Sequence, residues 1–311
     1  MFDFRMQREK REGMNVMKIG TIPGALADSG MSPKEEYETL SKLGFNSIDY
    51  PLMYPFKDAL CKISERELRF KFEEIRETIV ESGLIVGQTH SPIVANYLAC
   101  PETKEERWHA HIQAIKATSY LGAPYTVIHP ISPPRKLKGQ EYYEYAKEIN
   151  MEFFRFLEPY LKQYNVKVAI ENLFVNDGVL GRTTRAACST AEDLIDYIDS
   201  LNSDRFVVCL DTGHATLAGQ DPVDMIYKLG KKYLHVTHLH DNDYINDDHF
   251  MPGIGKIDWF AIGKALNDIG YEGIFNYEAN RTFVRLGEYA KDLTIDFLKL
   301  YVMLAEEIMK H

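Results

Sequence analysis

The sequence predicts an α/β protein, a closed (β/α)8 barrel in a single domain. Short runs rich in Val and Ile alternate about eight times with longer amphipathic stretches, from Met17 to the C-terminus. The runs are apolar on both faces, as parallel strands covered by helices are. A β-then-α unit repeated eight times over ~300 residues is the arithmetic of a closed barrel. An open doubly wound sheet is the rival, but no G-x-G-x-x-G turn follows the first strand run. No Pro/Ser/Gly-rich linker divides the chain, so residues 17–311 are read as one barrel domain. The charged stretch MFDFRMQREKREG places a flexible leader at residues 1–16, or an upstream start before Met14 or Met17.

The units follow in order. Lys18–Thr21 is the first strand and Pro33–Leu43 its helix, closed by Gly44. Ser47–Tyr50 and Glu65–Ser82 form the second unit, ending at Gly83. Leu84–His90 leads to Lys104–Leu121 and Gly122, then Thr126–His129 to Glu141–Tyr164. Val166–Glu171 precedes Ala191–Leu201, and Phe206–Asp211 precedes Pro222–Leu229. Leu234–His240 leads to Trp259–Ile269 and Gly270, and Ile274–Glu278 to Leu286–Met309. The four glycines stand where a left-handed C-terminal cap belongs.

Composition narrows the class. With 36 Lys+Arg against 46 Asp+Glu the formal charge is −10, and 45% of residues are hydrophobic, as in an ordinary globular protein. No apolar run approaches the ~18 residues of a membrane span. The acidic balance disfavours a polyanion partner. Cys61, Cys100, Cys188 and Cys209 lie far apart with no C-x-x-C pair, which fits reduced thiols in a cytoplasm. Cys209, inside Phe206–Leu210, is expected to be a small buried hydrophobe.

Position is the functional signal. His90 ends the third strand (QTHSP), His129 the fourth (VIHP) and Glu171 the fifth (AIEN). Asp211 ends the sixth, with His214 three residues on (DTGH); His240 ends the seventh (HLHD) and Glu278 the eighth (NYEAN). In a parallel barrel these ends ring one mouth. Taken singly, each has a structural explanation, such as a rim histidine or, for Asp211, a helix N-cap. Six consecutive strands each delivering an ionisable group is better explained by bound metal, because unpaired buried charge is costly. Glu171, Asp211, Glu278 and Asp247 bring four carboxylates, which call for a cation. Mixed oxygen and imidazole donors suit Mn²⁺, Zn²⁺, Co²⁺ or Fe²⁺ rather than a thiolate site. His238 shares the strand face of His240 and is expected to point into the barrel, whereas His235 is read as structural.

The motifs AIEN, LDTGH, HLHDND, DDHFMPGIGKIDW and NYEAN, in this order and spacing, resemble the xylose isomerase-like TIM-barrel superfamily. That superfamily includes sugar isomerases and epimerases, inosose dehydratases and endonuclease IV enzymes. The epimerase resemblance implies metal ligands Glu171, Asp211, His240 and Glu278, with His214, His90 and Asp177 toward the substrate. The endonuclease IV resemblance implies up to three ions, with His90, His129, His214, Asp247 and His249 as further ligands. The chain departs from its relatives in three places. Gly253-Ile254-Gly255 stands where GEG is common, Asp177 where epimerases often place a Glu, and Asp49 where many carry a Glu.

The resemblance and the residues together suggest a metal-dependent isomerase or epimerase of a small sugar, sugar phosphate or polyol. Such chemistry moves a proton beside a carbonyl and needs a cation plus carboxylates as base and acid. Glu171 and Glu278, on strands read as roughly opposite, are the expected pair, with His214 on a substrate hydroxyl or oxyanion. A dehydratase would begin with the same proton abstraction. The alternative is an endonuclease IV-like zinc phosphodiesterase. Against it, the loop Asp241–His249 carries four Asp and no Lys or Arg, and Pro130–Leu137 offers only Arg135 and Lys136. Arg182, Arg185 and Arg281 are candidate phosphate contacts, and Tyr54, Phe56, Tyr97 and Phe174 candidate pocket walls. The expected partner is a carbohydrate, with no membrane and no nucleic acid; a homo-oligomer is compatible.

Overall fold

The computed structural model describes residues 17–27, 30–53, 63–93, 104–133, 137, 139–177, 182–279 and 291–310. Its strands are β1 (Lys18–Thr21), β2 (Ser47–Pro51), β3 (Ile85–His90), β4 (Tyr125–Ile128) and β5 (Lys167–Glu171). They continue as β6 (Phe174–Asp177), β7 (Arg182–Arg185), β8 (Phe206–Asp211), β9 (Leu234–His238) and β10 (Ile274–Tyr277). The helices are α1 (Pro33–Leu43), α2 (Glu65–Glu81), α3 (Lys104–Tyr120), α4 (Gly139–Tyr164) and α5 (Ala191–Leu201). Then come α6 (Thr212–Leu217), α7 (Pro222–Tyr233), α8 (Trp259–Asp268) and α9 (Lys291–Ile308).

Eight strands form one parallel sheet in the order β10-β1-β2-β3-β4-β5-β8-β9. The two ends meet just beyond β9, where Leu239 N donates to Asn276 O (2.9 Å) and Glu278 N donates to Leu239 O (3.1 Å). The barrel read from the sequence is the fold, with every strand within two residues of its expected bounds. Two elements were not foreseen: the antiparallel hairpin β6–β7 and the six-residue helix α6. The helix read as Pro222–Leu229 runs on to Tyr233 across a break at Gly230 (φ 56°). The leader, residues 286–290, Cys61, Cys100, Tyr54, Phe56, Tyr97, Arg135, Lys136 and Arg281 lie outside the described residues. Among the described residues, no helix is long and apolar enough to cross a membrane.

Local chemistry sets the helix ends. Ser32 and Ser64 each form a capping box, with Glu35 and Glu67 returning to the cap backbone. All four glycines expected as C-caps have positive φ; Gly44, at 113°, donates its N–H to the last carbonyls of α1. The main core lies between the sheet and the helices, for example Ile48, Phe72, Phe154, Leu210 and Phe275. A smaller cluster, Val127, Ala169, Val207, Cys209 and Val236, fills the inside of the barrel, and Cys209 is buried there with a free thiol. Polar residues replace this apolar filling toward the strand C-termini. One irregularity matters for that polar layer: the β2–β3 register slips between Ile48 and Asp49, passing over Gly87 so that Asp49 faces Gln88. A Cβ at position 87 would lie 2.0 Å from Ile274 Cδ1 and 2.4 Å from Ser47 Oγ, so any larger residue would have to push both side chains aside.

His111 on α3 is buried beside the polar layer, with Nδ1 2.8 Å from Ser91 Oγ and its ring 5.0 Å from Phe153. Burial above all, helped by His90 and His129, pushes its pKa down to about 3. The unfolded chain takes a proton at about pH 6.5 that the folded chain refuses. The contribution of neutral His111 is therefore complete above about pH 6.5 and is lost as pH falls toward 3, at up to roughly 1.4 kcal/mol per pH unit. Chemical denaturation of His111→Gln at several pH values should show a shallower loss of stability over that window than wild type. Parallel curves would rule the assignment out.

Candidate metal centre at the barrel mouth

The C-terminal ends of the strands deliver a continuous layer of buried imidazoles and carboxylates. Glu171 ends β5 and Asp211 ends β8, both fully buried. Asn172 ties these two ends together: its Nδ2 donates to Asp211 O (2.9 Å) and its Oδ1 accepts from Asp211 N (2.7 Å). Asp211 is also the N-cap of α6, accepting from His214 N at 2.6 Å, which turns His214 back over the mouth. The N-cap role and the site role thus coexist in one carboxylate. Beyond β9, the buried Asp241 carboxylate accepts from Asn242 N, Gly253 N, Ile257 N and Trp259 Nε1 at 2.9–3.1 Å. This clamp fixes the loop that carries Asp247 and His249.

Glu171 is the centre of the layer. Its Oε2 lies 2.9 Å from His129 Nε2 and 3.6 Å from His90 Nε2. Its Oε1 lies 3.1 Å from His238 Nδ1 and 3.3 Å from His214 Nδ1. His238 Nδ1 is also 3.1 Å from Glu278 Oε2. On the outer side, His240 Nε2 sits 3.0 Å from Asp211 Oδ1, and the His240 ring stacks on His249 (4.1 Å, 5°). His249 Nε2 is 3.1 Å from Asp247 Oδ2, and its Nδ1 lies 2.7 Å from Glu278 O.

Several of these groups converge closely enough to hold a cation, with candidate ligand atoms within 4.8 Å of one another. The groupings are Glu171–Asp211–His238–Glu278, His90–His129–Glu171, His90–His238–Glu278, Asp211–His214–His240 and His240–Asp247–His249. The donor chemistry fits a divalent ion. The Nε2 atoms of His90 and His129 face each other at 3.2 Å and cannot both carry a proton there. Glu171 Oε2 beneath them receives no well-directed hydrogen bond, and His240 Nδ1 has no hydrogen-bond partner among the described residues. Buried polar atoms left in this condition are rare and want an explanation.

Three of the four ligands implied by the epimerase resemblance, Glu171, Asp211 and Glu278, do converge, but the imidazole among them is that of His238. His240 belongs instead to the two outer groupings. Both lie on one face, as their spacing of two requires, and His238 reaches deeper because it is the last residue of β9 itself. His90 lies inside the cation-type groupings, His214 lies between Asp211 and Glu171, and the β6 residue Asp177 pairs in register with Arg182 of β7. Arg185 pairs with Asp193 (2.7 Å), while the Phe174 ring stands 5.2 Å from His214. Sequence reasoning gave no role to Gln88 or Asn276, which join Asp49 beneath the carboxylates; only the polar type of these residues inside a strand hinted at it.

The electrostatics follow from this packing. Burial opposes a charged His214, but Asp211, Glu171 and Asp247 push its pKa up to about 10. His249 rises to about 9 against burial, through Asp247 and Glu278. His238 is held well above the ordinary imidazole value, burial being outweighed by Cys209, Glu278, Glu171 and Asp49. Burial would raise the carboxylates, yet His129 and His238 hold Glu171 well below the usual range, and His238 and His249 do the same for Glu278. Asp247 falls to about 2 through His249, again against burial. Without metal the layer is neutralised by imidazolium–carboxylate pairing, and a cation would displace those protons.

Residues 37–299 match the model of a family described as Xylose isomerase-like TIM barrel, and the chain belongs to that family. The uncharacterized protein MJ1311 of Methanocaldococcus jannaschii is 28% identical over 60% of this chain and 60% of its own length. A probable endonuclease 4 of Mycoplasma mobile is 28% identical over 63% of this chain and 66% of its own. The chain thus spans just under two thirds of these two curated relatives. Among solved structures, D-psicose 3-epimerase with D-tagatose from Clostridium cellulolyticum H10 superposes with a TM-score of 0.68 at 17% identity. That match covers 94% of this chain and 99% of the other, and it shares the fold.

Gly213 offers a direct check on the outer groupings. A Cβ there would lie 2.0 Å from His240 Cε1 and 2.6 Å from both ring nitrogens. Gly213→Ala must therefore displace the His240 ring, at the ~1–3 kcal/mol typical of overpacking. Elemental analysis after dialysis against Zn²⁺ should show less bound metal than wild type, alongside a lowered Tm. Unchanged metal content would remove His240 from the ligand set.

Proposed function

We propose that the protein is a divalent-metal-dependent isomerase or epimerase of a small sugar, sugar phosphate or polyol, using Mn²⁺, Zn²⁺ or Co²⁺. One observation carries this reading: the Glu171 and Glu278 carboxylates converge on a single point, each 3.1 Å from His238 Nδ1. β5 and β10 stand three positions apart in the ring rather than opposite, yet the two side chains lean into the same ion-sized space. Proton transfer beside a carbonyl asks for that combination of two carboxylates and a cation site. Similarity to the D-psicose 3-epimerase fold supports it.

When bound, a divalent ion supplies polarisation of the substrate's oxygens and neutralises the negative charge that develops on them. The chain supplies the rest. Glu171 and Glu278 take the proton from carbon and return it, to the same carbon on the other face or to its neighbour. Glu278 keeps 11% of its side chain exposed against 1% for Glu171, so its proton exchanges with water more readily. His214, held by Asp211 and Glu171, donates to a substrate hydroxyl or oxyanion, and Phe174 closes one side. A dehydratase would share the abstraction step.

The expected result is deuterium incorporation from D₂O at carbon in at least one of a panel of ketoses, ketose phosphates and inososes, with Mn²⁺-, Co²⁺- or Zn²⁺-loaded protein. Glu171→Gln and Glu278→Gln keep the shape but lose the base, so exchange should fall by at least ~100-fold, the scale of general-base catalysis. If wild type exchanges no carbon-bound proton, the isomerase reading loses its support.

A second reading has its own observation. Overlapping cation groupings with His90, His129, Asp247 and His249 extend the site beyond one ion, and a probable endonuclease 4 is among the relatives. Hydrolysis of a phosphodiester would suit such a site. The net charge of −10 and the four Asp of Asp241–His249 weigh against a nucleic acid there. Labelled abasic duplex at about 150 mM salt, where exposed charges are screened beyond ~8 Å, should be neither bound nor cut. Salt-dependent micromolar binding with strand cleavage would put this reading first.

A further inference from the structure

We propose that Asp49 is a positioning residue that holds the Nε2 proton of His238, leaving Nδ1 as the atom that faces the cation site. The inference rests on the cation-binding reading of the Glu171–Asp211–His238–Glu278 grouping and deepens it. His238 is fully buried, with its two ring nitrogens in opposite surroundings. Nδ1 points up, 3.1 Å from both Glu171 Oε1 and Glu278 Oε2. Nε2 points down, 2.9 Å from Asp49 Oδ2. The ring plane is fixed as well, lying parallel to His90 at 5.6 Å and 9°.

Asp49 is built to be an acceptor. Its carboxylate is fully buried on β2, and the same Oδ2 accepts from Gln88 Nε2 (2.9 Å) and Asn276 Nδ2 (3.2 Å). Two amide donors, one from the adjacent β3 and one from β10 across β1, thus hold in place the oxygen that meets the imidazole. The fold makes room for all three. The register slip over Gly87 brings Gln88 opposite Asp49, and Gly20 leaves space where a Cβ would lie 2.6 Å from Asn276 Oδ1. A carboxylate behind a ligating histidine selects its tautomer and orientation, and removing it typically costs 10–100-fold in metal affinity. A carboxylate that merely filled the barrel would need no particular nitrogen of His238.

The test begins with wild-type protein. Two-bond ¹H–¹⁵N correlation spectra of the histidine rings in the Zn²⁺-loaded chain should show His238 protonated at Nε2 and bare at Nδ1. Zinc titrations of variants follow. Asp49→Leu removes the acceptor and should weaken binding by about 10–100-fold. Asp49→Asn can keep an amide oxygen facing Nε2, so it should retain the tautomer and recover much of the affinity. A Zn²⁺-loaded wild type with the proton on Nδ1 overturns the proposal, and does so even if Asp49→Leu fails to fold. A folded Asp49→Leu variant with wild-type zinc affinity also overturns it. If wild type takes up no zinc at all, the cation-binding reading itself falls and this proposal with it.

Discussion

The buried carboxylate of Glu171 is the constraint around which the barrel mouth is organised. It sits at the end of β5 with no access to water and must be neutralised where it stands. Four imidazoles from four different segments surround it: His90 and His129 on one oxygen, His214 and His238 on the other. Each of those segments must end at the height where its ring reaches the carboxylate. The apolar filling of Val127, Ala169, Val207, Cys209 and Val236 ends below that level. The floor is an ordinary packed core, and the layer above it is a lattice of charge in which moving one member leaves another unpaired.

The fold was legible because its signals are periodic and local. Apolar strand runs and helix-length amphipathic stretches recur eight times, and four of the helical stretches are closed by a glycine, so errors at single residues do not accumulate. The hairpin β6–β7 and helix α6 escaped because they are short insertions at the mouth that carry no period of their own. Helix α6 is begun by the Asp211 cap, a role the sequence offered for that residue, but its six residues are too few to show a helical period.

The site was legible in its members but not in its grouping. Strand ends identify which residues reach the mouth, yet the depth of each is a tertiary fact. His238 and His240 share a face, and the last hydrogen-bonded residue of β9 decides which lies among the carboxylates. Asp49 was equally hidden. In the sequence it stood out only as a place where many relatives carry a Glu, whereas in the fold the slip over Gly87 sets Gln88 opposite it and its carboxylate lies under His238. A β-bulge leaves almost no trace in a sequence beyond the glycine that permits it.

The two oxygens of Glu171 also connect the number of ions to the chemistry. Oε1 belongs with His238 and the Asp211–Glu278 grouping, and Oε2 with His90 and His129. Were an ion held by the first grouping alone, Oε2 of Glu171 would stay free for the base role proposed for it. Were ions held by both groupings, both oxygens of Glu171 would be engaged, and a carboxylate so engaged would be a weaker general base. On the proposed reading, the number of ions held would thus decide whether Glu171 is available as a base. The lever would be the His90–His129 pair, whose facing nitrogens, 3.2 Å apart, have room for one shared proton and could instead serve as ligands.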